Sequence, residues 1–376
     1  MPTMRAGLRR QINLFLRALG WGAGIGAVFG AASGSAFRDA PLLGAVLGAP
    51  AGAINAMLLI GTIVGAEIFL PRTRLGHALE TAPFLVTVAV KALVYGAVIT
   101  FVFGSKLGRR IVVAALLSPD AAAAALQGAM PRPVAIAIAF SMSLSLILVL
   151  QMSRLIGERT LLDILLGRYH RPRAEERFFL FVDIAGSTPI AERIGPAAVH
   201  RFLGEVFRLA SDPIDDHGGE VYQYVGDEIV ITWTLAEGRG GARALACFFA
   251  IEQALDRAAP DFAREFGAEP RLRAALHAGP VITGEVGGSR RAIVYHGDVM
   301  NTTSRIEQAT RDLERKYLVS SDALERLDGA DAYTLEDLGL QRLRGRAAAV
   351  RVYAVKAKSV EGLSNHGIQP TASGRG

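Results

Sequence analysis

The sequence predicts a multi-span α-helical membrane domain followed by an α/β domain with a mixed sheet. Three observations predict it. Across 376 residues the mean hydropathy is +0.31 with 51% hydrophobic residues, high for a wholly soluble chain. Of the 35 acidic residues only four precede residue 153 (Asp39, Glu67, Glu80 and Asp120), so charge is concentrated in the C-terminal part and the break falls near Met152. Beyond that break, strand and helix signals alternate.

The membrane half, residues 1–152, reads as four spans. Leu19–Phe37, Leu42–Leu70, Phe84–Phe103 and Val134–Met152 each reach the ~20 apolar residues that cross the hydrocarbon. Four crossings return the chain to its starting side. With the N-terminus inside, the basic flank at Arg5, Arg9, Arg10 and Arg17, the PRTR turn at 71–74 and the Arg-rich exit from 154 all lie in the cytoplasm. The 104–133 loop disagrees, because it places Lys106, Arg109, Arg110 and Arg132 outside, and it reads as an interfacial or re-entrant piece. The basic start and the ASGSA tail of the first span also fit a signal peptide, with three spans following. Gly20, Gly22, Gly24, Gly26 and Gly30 lie inside an apolar span with no preceding strand, which makes them a helix-packing face rather than a nucleotide loop. Glu67 and Lys91 either snorkel from near the helix ends or pair across the second and third spans and mark a sensing site. The sequence leaves both open.

The formal charge of +6 does not signal nucleic acid: the arginines are dispersed, and the N-terminal cluster directly precedes an apolar span. The single cysteine, Cys247, excludes an internal disulfide framework and any Cys-rich metal site, and its apolar helical setting reads as core packing. Residues 153–176 read as a connecting segment whose stretch SRLIGERTLLDILLGRYHRP (153–172) is an amphipathic helix ending at a proline. It serves either to carry motion from the membrane or as a spacer. FFLFVDI then reads as a strand and STPIAERIGPAAVHRFLGEVFRLASDPIDDHG as helix. GGEVYQYVGDEIVITW reads as two strands around a Val-Gly-Asp turn and ARALACFFAIEQALDRAA as a helix. RLRAALHAGPVITGEVG supplies a strand with a turn, VMNTTSRIEQATRD a helix and YLVSS a strand. The polar stretch 357–376 reads as a disordered tail.

Asp183 ends the first strand, Asp227 sits in the hairpin turn, and pairing of neighbouring strands brings both to one edge of the sheet. Two carboxylates without His or Cys nearby form a hard oxygen site suited to Mg²⁺ or Mn²⁺ on phosphate oxygens. The turn Ala185-Gly186-Ser187-Thr188 leads into a helix whose first N–H groups are free to hold phosphate. Asn301 and Arg305, four apart, share a helix face and together offer donors to phosphorus-bound oxygen or to ribose. Taken singly, Asp183 also fits a helix cap, Asp227 a turn residue, and Asn301 and Arg305 solvent-facing polar side chains; the combination is what is specific.

FLFVDIAGST, YQYVGDEIVITW, LHAGPVITGEVG and HGDVMNTTSRIE, in that order, resemble the catalytic domain of class III nucleotidyl cyclases over residues 177–356, half the chain. The whole chain resembles bacterial membrane-bound adenylate cyclases with a multi-span anchor before one such domain. The resemblance implies a ferredoxin-like α/β domain on the cytoplasmic side of the inner or plasma membrane. It implies two metal ions, Mg²⁺ or Mn²⁺, on Asp183 and Asp227 with the Ile184 carbonyl assisting, Asn301 orienting the ribose and Arg305 stabilising the transition state. It further implies a homodimer with two shared sites, each taking the aspartates from one chain and Asn301 and Arg305 from the other. The reaction would be attack of the ribose 3′-oxygen of ATP on the α-phosphorus with loss of pyrophosphate. Arg344 or Arg346 stands where the family often has a triphosphate-binding lysine.

The departures concern the base. Adenylate cyclases usually carry Lys where this chain has Gln223 and Asp or Thr where it has Val294, and guanylate-specific patterns usually show Glu at the first position. A valine cannot hydrogen-bond a base edge, so selection falls to Gln223, to Tyr295 or His296, or to backbone groups. His296, like His277 and His217, also reads as structural. ATP is favoured by family frequency alone. The alternatives are a guanylate or mixed-purine cyclase, and a degenerate nucleotide-binding receptor module that keeps the dimer without turnover.

Overall fold

The computed structural model describes residues 2–35, 41–70, 73, 82–105, isolated positions between 137 and 156, and 157–288, 291–343 and 348–358. The chain divides into two compact units, Met1–Leu161 and Leu162–Gly376.

The first unit contains α1 (Pro2–Ser35), α2 (Pro41–Phe69) and α3 (Phe84–Ser105). Phe15–Ser35, Pro41–Phe69 and Leu85–Val102 are long and apolar enough to cross a membrane, by length and composition. They coincide with the first three expected spans; the fourth, Val134–Met152, and the 106–133 stretch fall outside the described residues apart from isolated positions in the former. The glycines of α1 serve two directions rather than one. Gly22, Gly26, Gly30 and Gly34 face α2, where a β-carbon at Gly26, Gly30 or Gly34 would strike the carbonyls of Gly52, Gly48 and Gly44, whereas Gly20 and Gly24 have open space around them. Backbone-to-backbone approach of this kind replaces the hydrophobic drive that helices lack among lipid tails.

Glu67 of α2 and Lys91 of α3 do pair. The Lys91 ammonium donates to both carboxylate oxygens at 2.7 and 2.8 Å, and the Tyr95 hydroxyl donates to Oε1 at 2.8 Å. The ion pair is buried, beside Ile63, Tyr95 and Ile147. Its worth is therefore a matter of keeping two desolvated charges together.

The division falls within α4 (Glu158–Leu165), and the second unit continues with β1 (Arg173–Ile184), α5 (Ser187–Ile194), α6 (Pro196–Asp216), β2 (Glu220–Val225), β3 (Glu228–Thr234), α7 (Arg243–Phe266), β4 (Leu272–Val286), β5 (Ala292–His296), α8 (Asp298–Asp312), β6 (Tyr317–Ser320), β7 (Tyr333–Gln341) and β8 (Val350–Ala357). The sheet order is β2-β3-β1-β4-β6-β8-β7, with β5 paired to β4. It is mixed because β4 and β6 run parallel while the other pairs are antiparallel.

β1 is buried on both faces, which explains its unbroken apolar run. Phe178, Leu180, Val182 and Ile184 pack under α6 and α7, against Phe202, Val206, Phe248 and Ile251. Phe179 and Phe181 point the other way, to Val230, Val281, Tyr295 and Val299 of α8. By the two-residue period Asp183 belongs to this second face.

Three expectations are corrected. The helix expected over 153–172 closes at Leu165, with Gly167 in the left-handed region at φ 62°, and the following residues turn. β1 starts at Arg173, inside the segment 153–176 expected to connect, because Arg173–Glu176 pair with Thr283–Pro280 of the 15-residue β4. Its charged start is satisfied internally: Arg177 donates to Glu175 at 2.9 Å and to the Tyr169 hydroxyl at 3.1 Å, with its guanidinium 4.8 Å from the centre of the Tyr295 ring. The helix expected to run on from Ser187 breaks at Gly195, φ 82°, before Pro196 restarts it as α6. β5, β7 and β8 are strands that the alternation of signals did not mark. The tail from residue 359 lies outside the described residues.

Lys91→Met strips the ammonium from the buried Glu67 carboxylate and should destabilise the first unit by about 3–5 kcal/mol. The double variant Glu67→Gln, Lys91→Met should recover most of that loss. Thermal unfolding in detergent checks this; equal melting of the single variant and the parent would reject the pair as a structural contributor.

Candidate active site

The site grows from the end of β1. Antiparallel register sets Asp183 opposite Glu228 of β3 on one side and Arg273 of β4 on the other. Asp227 precedes Glu228 in the β2–β3 turn, which Gly226 makes possible at φ 64°. The two aspartates therefore stand at one sheet edge, as the strand and hairpin readings imply.

Asp183 is 5% exposed, so its charge must be met locally. Its Oδ2 accepts from Arg273 Nη2 at 2.9 Å and from Arg311 Nη2, at the end of α8, at 3.2 Å. The two cations do not balance the acids around them. Burial, then the neighbouring Glu307, Asp183 and Asp227, push Glu228 up to about 7. Burial and Asp183 push Glu307 up to about 7 against the pull of Arg311 and Arg273. Glu307 Oε1 is buried with no hydrogen-bond partner. An excess of buried carboxylate of this kind suits a divalent cation, and the oxygen-only donor set suits a hard one. Among the described residues no three His, Cys, Asp or Glu side chains converge to hold an ion by themselves, so an ion here needs further oxygens, as phosphate would give.

The turn Ala185–Thr188 adjoins it. Ala185 N–H is already used, donating to the Arg271 carbonyl at 2.7 Å. Gly186 turns the chain at φ 73°, and Ser187 and Thr188 open α5. Pro189 has no N–H, so the open donors of the first turn are those of Ser187 and Thr188. Beside Ala185 a cavity of about 570 Å³ is lined by Arg271, Arg273, Arg311, Arg315 and Lys316, with acids between them.

Asn301 and Arg305 both lie on α8, four apart, but not on the face that meets Asp183. At about 100° per residue, Glu307 sits roughly 120–160° round the helix from Asn301 and Arg305, and Arg311 roughly 80–120°. The buried face of α8 carries Val299, Thr303, Ile306 and Thr310, and Asn301 lies on the exposed side away from it. One chain thus joins the two aspartates at one edge and leaves Asn301 and Arg305 turned elsewhere. Gln223 is exposed on β2 and Val294 half-buried on β5, while Tyr222 and Tyr295 beside them meet ring to ring at 4.8 Å. Arg344 and Arg346 lie outside the described residues. His277 is buried against the Ser320 hydroxyl at 2.7 Å, and the His217 ring meets the Pro213 carbonyl at 2.8 Å.

Sequence reasoning missed Arg273, Arg311, Glu228 and Glu307. Glu228 adjoins Asp227 and was within reach. Glu307 and Arg311 carry a legible i, i+4 spacing on α8, but nothing local says that they meet Asp183.

The two raised carboxyls bind protons in the folded state that the unfolded chain has already released. Without metal, stability should therefore fall as pH rises from the ordinary value of 4.5 towards about 7, and level off above it. Glu307→Gln should flatten that slope. Melting temperatures of chelator-treated protein across this range test it, and an identical slope in the variant would refute the assignment.

Residues 170–357, half of the chain, match the family described as the adenylate and guanylate cyclase catalytic domain. Adenylate cyclase 2 of Rhizobium meliloti (strain 1021) is 39% identical over 213 residues, covering 57% of this chain and 59% of that protein. The adenylate cyclase of Anabaena cylindrica is 29% identical over 184 residues, 47% of this chain and 36% of that protein. The match thus spans less than two thirds of either relative. Among solved structures, a bacterial light-regulated adenylyl cyclase aligns at 22% identity and a TM-score of 0.48, over 57% of this chain and 63% of that one. The adenylyl cyclase CyaB from P. aeruginosa aligns at 18% identity and a TM-score of 0.45, over 50% and 98%. On the match to residues 170–357, this chain belongs to the adenylate and guanylate cyclase catalytic domain family.

Proposed function

We propose that this chain is a membrane-tethered adenylate cyclase that converts ATP to 3′,5′-cyclic AMP and pyrophosphate. The observation that carries the reading is the placing of Asp183 and Asp227 at one sheet edge beside the Gly186–Thr188 turn, with Asn301 turned outward on α8. Membership of the cyclase family and the 39% identity to adenylate cyclase 2 of Rhizobium meliloti support ATP as substrate.

In this reading Asp183, Asp227 and the Ile184 carbonyl hold two Mg²⁺ or Mn²⁺ ions. When bound, these ions supply Lewis acidity at the ribose 3′-oxygen and the triphosphate. The N–H groups of Ser187 and Thr188, in the turn set by Gly186, hold terminal phosphate oxygens. Arg273, fixed on β4 against Asp183, faces the same charge, and Arg344 is a further contact to it. The 3′-oxygen gives up its proton and attacks the α-phosphorus in line; the bond to the bridging oxygen breaks and pyrophosphate leaves with that electron pair. Asn301 orients the ribose, and Arg305 meets the charge that grows on the α-phosphoryl oxygens. Because Asn301 lies on the exposed side of α8, it and Arg305 serve the partner's aspartates in a homodimer with two equivalent sites. Gln223 contacts the base, and Val294 shapes its pocket without donating a hydrogen bond. The three apolar helices and the four-span reading support an N-terminal multi-pass anchor in the cell membrane, with the catalytic unit proposed to lie in the cytoplasm.

Asp183→Ala, Asp227→Ala and Arg305→Ala should each lower kcat by about 10²-fold or more without unfolding the protein. Co-expressed Asp227→Ala and Arg305→Ala chains should recover up to about a quarter of parental activity, since a mixed dimer keeps one intact site. A dead mixed dimer, shown by pull-down to have formed, would sink the shared site. Product analysis with ATP and with GTP in Mn²⁺ or Mg²⁺ tests the substrate. Cyclic AMP from ATP alone supports the reading, cyclic GMP or both products reassign it to a guanylate or mixed-purine cyclase, and nucleotide binding without product leaves a receptor module.

A further inference from the structure

α8 carries two i, i+4 pairs on different faces. Asn301 and Arg305 occupy one, and Glu307 and Arg311 the other, which turns back to Asp183 of the same chain. Arg273 and Arg311 both bond Oδ2 of Asp183, but they differ in freedom. The side chain of Arg273 is 21% exposed and held on β4, whereas that of Arg311 is 56% exposed at the helix end. An incoming cation therefore displaces Arg311 more readily than Arg273, and with Arg311 gone the Asp183 carboxylate is shared with one guanidinium instead of two.

We propose that Arg311 is a positioning residue that competes with a divalent cation for the Asp183 carboxylate, so that a cation binding there loosens its hold and releases the C-terminal end of α8. The inference rests on the reading of Asp183 as a metal ligand. Its consequence is a link between the two sites of the dimer. The same rigid helix that Arg311 ties to its own chain's metal site presents Asn301 and Arg305 for the partner's substrate. Metal arriving in one site then changes the constraint on the helix that completes the other, and by linkage the reverse holds as well.

The test titrates Mn²⁺ alone, without nucleotide, into the full chain in detergent micelles, followed by electron paramagnetic resonance of the free ion. Four proteins are compared: the parent, Arg311→Gln, Arg311→Lys and Asp183→Asn. Removing the competing guanidinium should tighten the Kd for Mn²⁺ by about 3- to 10-fold, the scale of one charge-assisted hydrogen bond from a half-exposed donor. General damage to the fold would weaken binding instead, so the direction of the change separates competition from misfolding. Arg311→Lys, which keeps the charge, should return the Kd towards the parent, and Asp183→Asn should lose the site. If Arg311→Gln binds no tighter than the parent while Asp183→Asn loses the site, the metal reading stands and this inference falls. A Lys variant as tight as the Gln variant also overturns it, because charge would not be the competitor. If Asp183→Asn binds like the parent, Asp183 is not a ligand and both fall.

Discussion

The catalytic unit is organised around one buried carboxylate. Asp183 stands at the end of a strand covered on both faces, where an unmet charge costs several kcal/mol. Two elements meet it, β4 with Arg273 and α8 with Arg311, while β3 adds further acids beside it, Glu228 and, through its turn, Asp227. The sheet order with β1 between β3 and β4 is what lets this happen. Any change of register by one residue would carry Asp183 to the α6 and α7 face, into Phe202 and Phe248 rather than towards two guanidinium groups.

The two units solve the same problem in opposite ways. Between α2 and α3 the Glu67 carboxylate receives an ammonium through both oxygens and a phenol hydroxyl, from two residues of one helix one turn apart. There the described residues set one acid against one cation. At the sheet edge, Asp183, Asp227, Glu228 and Glu307 face two arginines from different elements; burial first, and repulsion between the acids after it, raise Glu228 and Glu307 to about 7, and one Glu307 oxygen is buried without a partner. The first arrangement holds helices together. The second keeps carboxyl groups that the two guanidinium groups do not fully engage, which sets it apart from a structural ion pair.

Much of this was legible in the sequence because it is local. The apolar run of β1, the Val-Gly-Asp turn and the helical period of α8 each announce themselves within about ten residues, so the placing of Asp183, Asp227, Asn301 and Arg305 follows from elements read one at a time. What escaped is set by long-range pairing. The start of β1 at Arg173 looks like a polar linker until β4 is known to be long enough to pair with it and Tyr169 to bond with Arg177. β5 is five residues, and β7 and β8 carry charges that mask their alternation. Arg273 is invisible as a partner of Asp183, because 90 residues separate them and only the register brings them opposite.

The spacing on α8 explains why one domain per chain is no obstacle to a complete site. Two i, i+4 pairs offset by six residues cannot share a face: six steps of about 100° turn the second pair roughly 240° from the first. With Glu307 and Arg311 directed at the chain's own Asp183, Asn301 is carried round to the exposed side of the helix. In a lone chain that geometry separates the groups the proposed reaction needs together. In a two-fold dimer it supplies them twice, since whatever one copy presents outward the other receives. The helix then answers to both sites at once, and its fixed geometry, rather than any flexible connection, is what ties them.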